Sequence, residues 1–176
     1  MPNFVRTSLS LLALLISASA LAAPLDEAQA LWHAGKREQA LALAEKAIAQ
    51  DPQNARLRFA LGVMRMEAGD LTAAAKLFTA LTQDFPDLAD PYNNLAVIHA
   101  GRGELDAAAV ALEQSVRLQP DNALAQENRG DVLMRLALRA YEHAARQPSG
   151  STPQLELKLK RTRELIAPTS PSPTKP

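Results

Sequence analysis

Three residue types return along this chain at one fixed interval. Pro52, Pro86 and Pro120 are spaced by 34 residues, as are Gly35, Gly69 and Gly103, and as are Ala40, Ala74 and Ala108. Proline stops a helix and glycine turns one, so each 34-residue unit carries two breakers and room for two short helices. A period of this length is the signature of stacked helical hairpins, each burying a face that it cannot bury alone. The expected fold is therefore all-α.

Composition agrees. Hydrophobic residues make up 47% of the 176 residues but aromatics only 4%, and an interior rich in alanine and leucine suits close helix packing. The formal net charge is zero, which gives no basic face for a nucleic-acid partner. The absence of cysteine removes disulfides, thiolate metal sites, a cysteine nucleophile and a lipidated N-terminal cysteine together.

Residues 1–22 read as an address. Arg6 is the only charge, Leu9–Ile16 is apolar except for Ser10, and small residues follow. This is the plan of a cleavable secretory signal peptide, too short for a membrane span of about 20 residues. Ala18-Ser19-Ala20 and Ala20-Leu21-Ala22 both fit a cleavage site, and cleavage after Ala22 is expected. The mature chain would then be exported, with a bacterial periplasm as its place.

The first hairpin spans about residues 25–52, with Ala28, Leu31 and Trp32 on its first helix and Ala40, Leu41, Ala44, Ala47 and Ile48 on its second. The second, about 53–86, carries Leu57, Leu61, Met64 and Ala68, then Ala74, Leu77, Phe78 and Leu81. In the third, about 87–120, Asp90 is expected as N-cap with Pro91 in the first turn. Tyr92, Leu95, Ala96 and His99 follow, then Leu105, Ala108, Leu112 and Val116.

The fourth unit differs. It starts with Asn122 as a cap, but position 137, where the turn glycine belongs, is alanine. Without a breaker the two halves should merge into one long helix, about 122–146, with Leu124, Val132, Leu133, Leu136, Ala140 and Tyr141 buried. Such a helix would cap an open-ended stack. Residues 147–153 read as a linker. Residues 154–166 read as a helix capped by Thr152, with Leu155, Leu159 and Ile166 inward and Lys158, Lys160, Arg161 and Arg163 making it basic. The tail, 167–176, is proline-rich and expected to be disordered.

The hairpins resemble the tetratricopeptide-repeat (TPR) family. Its helix A signature and its Ala, aromatic, Ala and Pro of helix B fall on Tyr92, Leu95, Ala96, His99, Ala108, Leu112, Ser115 and Pro120 in the third repeat. In the second they fall on Arg58, Leu61, Gly62, Arg65, Ala74, Phe78, Leu81 and Pro86. In the first they fall on Ala28, Leu31, Ala40, Ala44, Ala47 and Pro52. Arg65 and His99 stand where the family usually has an aromatic. The resemblance covers about residues 25–148 and implies a right-handed superhelical solenoid of three TPR hairpins, a capping helix and a short C-terminal helix. The whole chain is similar to small periplasmic TPR proteins of proteobacterial type, some tied to cell-envelope and peptidoglycan work; YNNLA, GDVLMRLALRAYEHA and LKLKRTRELI carry that likeness.

Catalytic chemistry finds no foothold. His33, His99 and His143 are scattered singly, without a partner at metal-ligand spacing, and no nucleophile elbow, zinc-helix motif or phosphate-binding glycine loop occurs. No enzyme activity, cofactor or metal is expected, and His99 is expected as a buried structural residue. The resemblance instead implies a concave groove lined by helix A of each repeat. Its lining would be Gln29, Trp32 and His33; Phe59, Val63 and Met66; Asn93, Asn94 and Val97; and Glu127, Asn128, Asp131 and Arg135. Asn94 and Asn128, 34 residues apart, are expected to stack as neighbouring amides able to donate to and accept from a peptide backbone. Trp32 also fits a second role, sealing the N-terminal end of the stack. The family's chaperone-tail carboxylate clamp needs basic residues where this chain has Phe59, Leu124 and Asn128, so recognition of acidic tails by that device is not expected.

Two functions follow. The first is a scaffold that binds a protein or peptide segment of the cell envelope in the groove. The alternative is a structural envelope protein that self-associates, as a homo-oligomer, through the exposed helix faces at either end with the groove unoccupied. The C-terminal helix, apolar on one side and basic on the other, could pack home, swap into a neighbour or touch an anionic membrane.

Overall fold

The computed structural model describes residues 24–148 and 151–167. The expected leader, the end of the proline-rich tail and part of the linker lie outside the described residues. Among these the chain forms eight helices and no strand: α1 (24–33), α2 (Arg37–Gln50), α3 (Ala55–Glu67), α4 (Leu71–Asp84), α5 (Ala89–Gly101), α6 (Leu105–Leu118), α7 (Ala123–Ala145) and α8 (Pro153–Ile166). They fall into two compact units, Met1–Pro86 and Asp87–Pro176.

The repeated residues make repeated geometry. Gly35, Gly69 and Gly103 adopt φ of 75°, 84° and 77°, a left-handed conformation that only glycine enters without a steric cost. Each closes the same helix end. The N–H groups of Lys36, Asp70 and Glu104 reach back to the carbonyls of Leu31, Arg65 and His99 at 2.9 Å, the six-to-one bond of a Schellman motif. The residues before the three prolines, Asp51, Phe85 and Gln119, share φ near −133°. The proline ring disfavours helical backbone in the residue before it, so the second helix of each hairpin ends at the same point.

In the first unit, Ala28 and Trp32 of α1, Ala40 and Ala44 of α2, and Leu61 and Met64 of α3 form one core. α4 adds the fully buried Phe78 and Leu81. Gly62 lets α3 lie on Phe78: a Cβ there would come within 2.7 Å of the ring. Arg58 holds a position the family gives to a large side chain. Its stem is buried, and its guanidinium donates to Asp84 Oδ2 at 2.6 Å and lies 5.7 Å from the centre of the Phe85 ring. Arg65 turns outward to Glu45 and Asp70.

In the second unit, Ala96, Ala108, Leu112 and Val132 form the core. α5 begins at Ala89 with Leu88 at the N-cap and no side-chain cap, not at Asp90 as expected. The earlier start buries Ala89 and Pro91; Asp90 lies in the first turn, where its charge complements the helix dipole. His99 is not fully buried. Its Nδ1 faces Glu104 Oε2 at 2.6 Å, so that nitrogen carries the hydrogen, because a carboxylate only accepts.

α7 runs unbroken through Ala137, with Asn122 Oδ1 accepting from the Ala125 N–H. Its buried residues are Ala125 and Val132, with Leu136 packed beside them, whereas Leu124, Leu133 and Ala140 are exposed. The expected stripe was too wide, because α7 turns a helix A face of small residues toward α5 and α6. Arg139 grips Asp106 of α6 through both nitrogens, at 2.8 and 2.6 Å. α8 is a helix capped by Thr152 with Pro153 at its start. It packs on α7 through buried Leu159, with Arg163 donating to Glu142 at 2.8 Å and Lys158 over the Tyr141 ring.

Candidate protein-binding cleft

The first unit carries a cleft of about 560 Å³ between α1 and α3. Its α3 wall follows from spacing. Arg56, Phe59, Ala60, Val63, Met64 and Glu67 recur at three- and four-residue steps and share one face. Leu25, Gln29, Trp32 and His33 of α1 form the opposite wall.

Trp32 is locked in place. Its indole Nε1 donates to Glu67 Oε2 at 2.6 Å, and the Arg37 guanidinium lies 5.1 Å from its ring centre. Only 9% of the residue remains exposed, so it belongs to the core and also presents an apolar surface to the cleft. Phe59 is braced from behind by Phe78, ring centres 5.6 Å apart. Both aromatics are thus held before any ligand arrives, which lowers the entropy lost on binding.

The second unit carries a smaller cleft, about 220 Å³, between α5 and α7, with Val97, Asn128, Asp131 and Arg135 in its lining. Asn128 and Asn94 do not stack. Asn128 Nδ2 donates to the buried Asn93 Oδ1 at 2.9 Å, while Asn94 Nδ2 turns back to the Asp90 carbonyl at 3.1 Å. The amide pair therefore forms one residue earlier than expected, with Asn93. Arg135 donates to the Ala100 carbonyl at 3.1 Å and closes one end.

Of the thirteen candidate residues, Gln29, Trp32, His33, Phe59 and Val63 come together in the first cleft, and Val97, Asn128, Asp131 and Arg135 in the second. Met66 and Glu127 stand outside both linings, and Asn93 and Asn94 contribute hydrogen bonds instead. Of the first cleft's lining, sequence reasoning missed Leu25, Arg56, Ala60, Met64 and Glu67. Extending the stripe through Phe59 and Val63 by one turn each way would have found Arg56 and Glu67. Among the described residues no cluster of three or more acidic or histidine side chains could hold a metal, and no helix is long and apolar enough to cross a membrane.

Two family profiles, both described as tetratricopeptide repeat, match residues 25–89 and 65–127 and together span 25–127. No curated protein matches the sequence. Among solved structures the chain is similar to the first TPR of Spaghetti (RPAP3) bound to the HSP90 peptide SRMEEVD, with TM-score 0.62, 16% identity, and 66% of this chain and 93% of that one covered. It is also similar to MamA, with TM-score 0.61, 19% identity, and 82% and 77% covered. A third is TTC0263, a thermophilic TPR protein of Thermus thermophilus, with TM-score 0.59, 21% identity, and 84% and 83% covered. At these identities the likeness is one of fold.

Proposed function

The chain belongs to the tetratricopeptide-repeat family, and from that premise we propose that it is a non-enzymatic scaffold whose α1/α3 cleft binds a segment of another protein. One observation carries this reading: the cleft has an apolar wall of pre-fixed aromatic side chains, Trp32 and Phe59, beside the half-buried Val63. Fixed aromatics in a concave site are typical anchors for a partner. The RPAP3 domain that shares the fold is bound to a peptide, which supports a peptide-sized ligand here.

The occupant differs in kind from that HSP90 peptide. Phe59, Leu124 and Asn128 stand where a carboxylate clamp needs cations, so an acidic chaperone tail is not the ligand. The leader-like residues 1–22 support export and a partner in the periplasmic cell envelope, within peptidoglycan or envelope assembly. Intact mass of the exported chain tests this: loss of residues 1–22 is expected, and a full-length exported chain counts against it. Self-association is the second reading, and it draws on exposed Leu157 and Leu165 of α8.

Val63→Glu tests the cleft. It places a charge on the apolar wall at a half-buried position, and the proteins captured from envelope extract should be lost. Lys46→Glu, on exposed α2 surface, should keep them. Identical captures by the two variants would refute the cleft as the binding surface.

A further inference from the structure

We propose that Arg56 makes the α1/α3 cleft selective for an acidic–apolar segment: an extended stretch with one carboxylate side chain and apolar side chains within about three residues of it. This rests on the reading that the cleft takes a protein segment.

Arg56 and Glu67 are the charged groups of the lining, and they are not equivalent. Glu67 is committed, since its Oε2 accepts the Trp32 indole hydrogen at 2.6 Å and holds that ring in the wall. Arg56 is exposed and, among the described residues, makes no hydrogen bond or ion pair. Other arginines of the unit are engaged: Arg37 with the Trp32 ring, Arg58 with Asp84, and Arg65 with Glu45 and Asp70. The cleft therefore keeps one unspent cation. Asp26 and Glu27, in the first turn of α1, are exposed but stand outside the lining.

Position adds to charge. Arg56 is the second residue of α3, so the N-terminal end of the helix dipole favours an anion at the same place. From Arg56 to Val63 is seven residues of helix, about 10 Å, which an extended strand covers in about three residues. An acidic side chain on Arg56 thus brings its neighbours over Phe59 and Val63. One arginine reads one carboxylate in this way, which is a different device from a clamp on a multiply acidic tail.

The probes are two fluorescein-labelled, end-capped hexapeptides, one with a single glutamate followed by leucine and valine, the other with lysine in place of the glutamate. Anisotropy with the full chain should show the glutamate peptide binding about tenfold more tightly. Arg56→Glu should reverse the preference, and salt should shrink it. Equal or better binding of the lysine peptide, or an unchanged ratio in Arg56→Glu, overturns the selectivity. If both peptides bind alike and Val63→Glu abolishes both, the cleft reading stands and the acidic selection falls. Binding of neither peptide to the unaltered chain sinks both.

Discussion

Gly62 of α3 and Gly130 of α7 occupy the same place in the repeat, two periods apart, yet they answer to different forces. At Gly62 a methyl group would meet the Phe78 ring at 2.7 Å, and that ring is fully buried. Overpacking of this kind costs about 1–3 kcal/mol, partly offset by the ~1 kcal/mol that alanine gains in helix propensity. At Gly130 nothing lies within 4 Å of the built Cβ, so the propensity gain stands alone. Gly62→Ala should lower the melting temperature and Gly130→Ala should raise it. Equal shifts in thermal unfolding would show that α3 does not depend on close approach to Phe78. The same kind of local fit explains Trp32 and Glu67, whose bond no periodicity announces. A 35-residue separation links them, but only the folded hairpins bring the indole to the carboxylate.

The C-terminal ends of the helices were the most legible elements. Gly35, Gly69 and Gly103 and the three prolines act through their own backbone dihedrals, so their effect is written locally. The loss of the breaker at Ala137 likewise forecast the unbroken α7. Less legible was anything decided by a competing partner. Asn94 had the expected spacing to Asn128, but the Asp90 carbonyl one turn away captured its amide and left Asn93 to Asn128. Leu124 and Leu133 are apolar, yet close packing of α7 had room for Ala125 and Val132 instead. Between α6 and α7 the Asp106–Arg139 pair gives a pH signature. The hydrogen bond from Arg139 holds the Asp106 carboxyl below its ordinary value. A lowered folded pKa means that the bridge stabilises the fold above the ordinary carboxylate range, and that the benefit fades as pH falls through the lowered value. Asp106→Asn should therefore melt below the unaltered chain at neutral pH, with the gap closing as pH falls through the lowered carboxyl value. A gap independent of pH would mean that the pair contributes nothing through its charge.

The chain repeats one helical hairpin before the unbroken α7, and the α1/α3 cleft gathers residues that depart from the repeat. Ala30 and Leu31 are ordinary helix A residues; Trp32 is the chain's single tryptophan, and it sits in the cleft. Arg56, Phe59 and Val63 add a cation with no partner among the described residues and an apolar wall on α3. The repeat framework was readable because its period is imposed by packing that every unit shares. The cleft was readable only in part: Leu25 and Glu67 lie one 34-residue period from Phe59 and His33, so the register could have reached them, whereas Arg56 has no such counterpart in the lining. The central claim is that this cleft holds another protein's segment. Photo-crosslinking from position 63 in living cells, with exposed position 46 as the reference, tests it most directly. A single envelope protein joined at position 63 and absent at position 46 is the predicted result. Adducts only to other copies of this chain, or the same adducts from both positions, would contradict it.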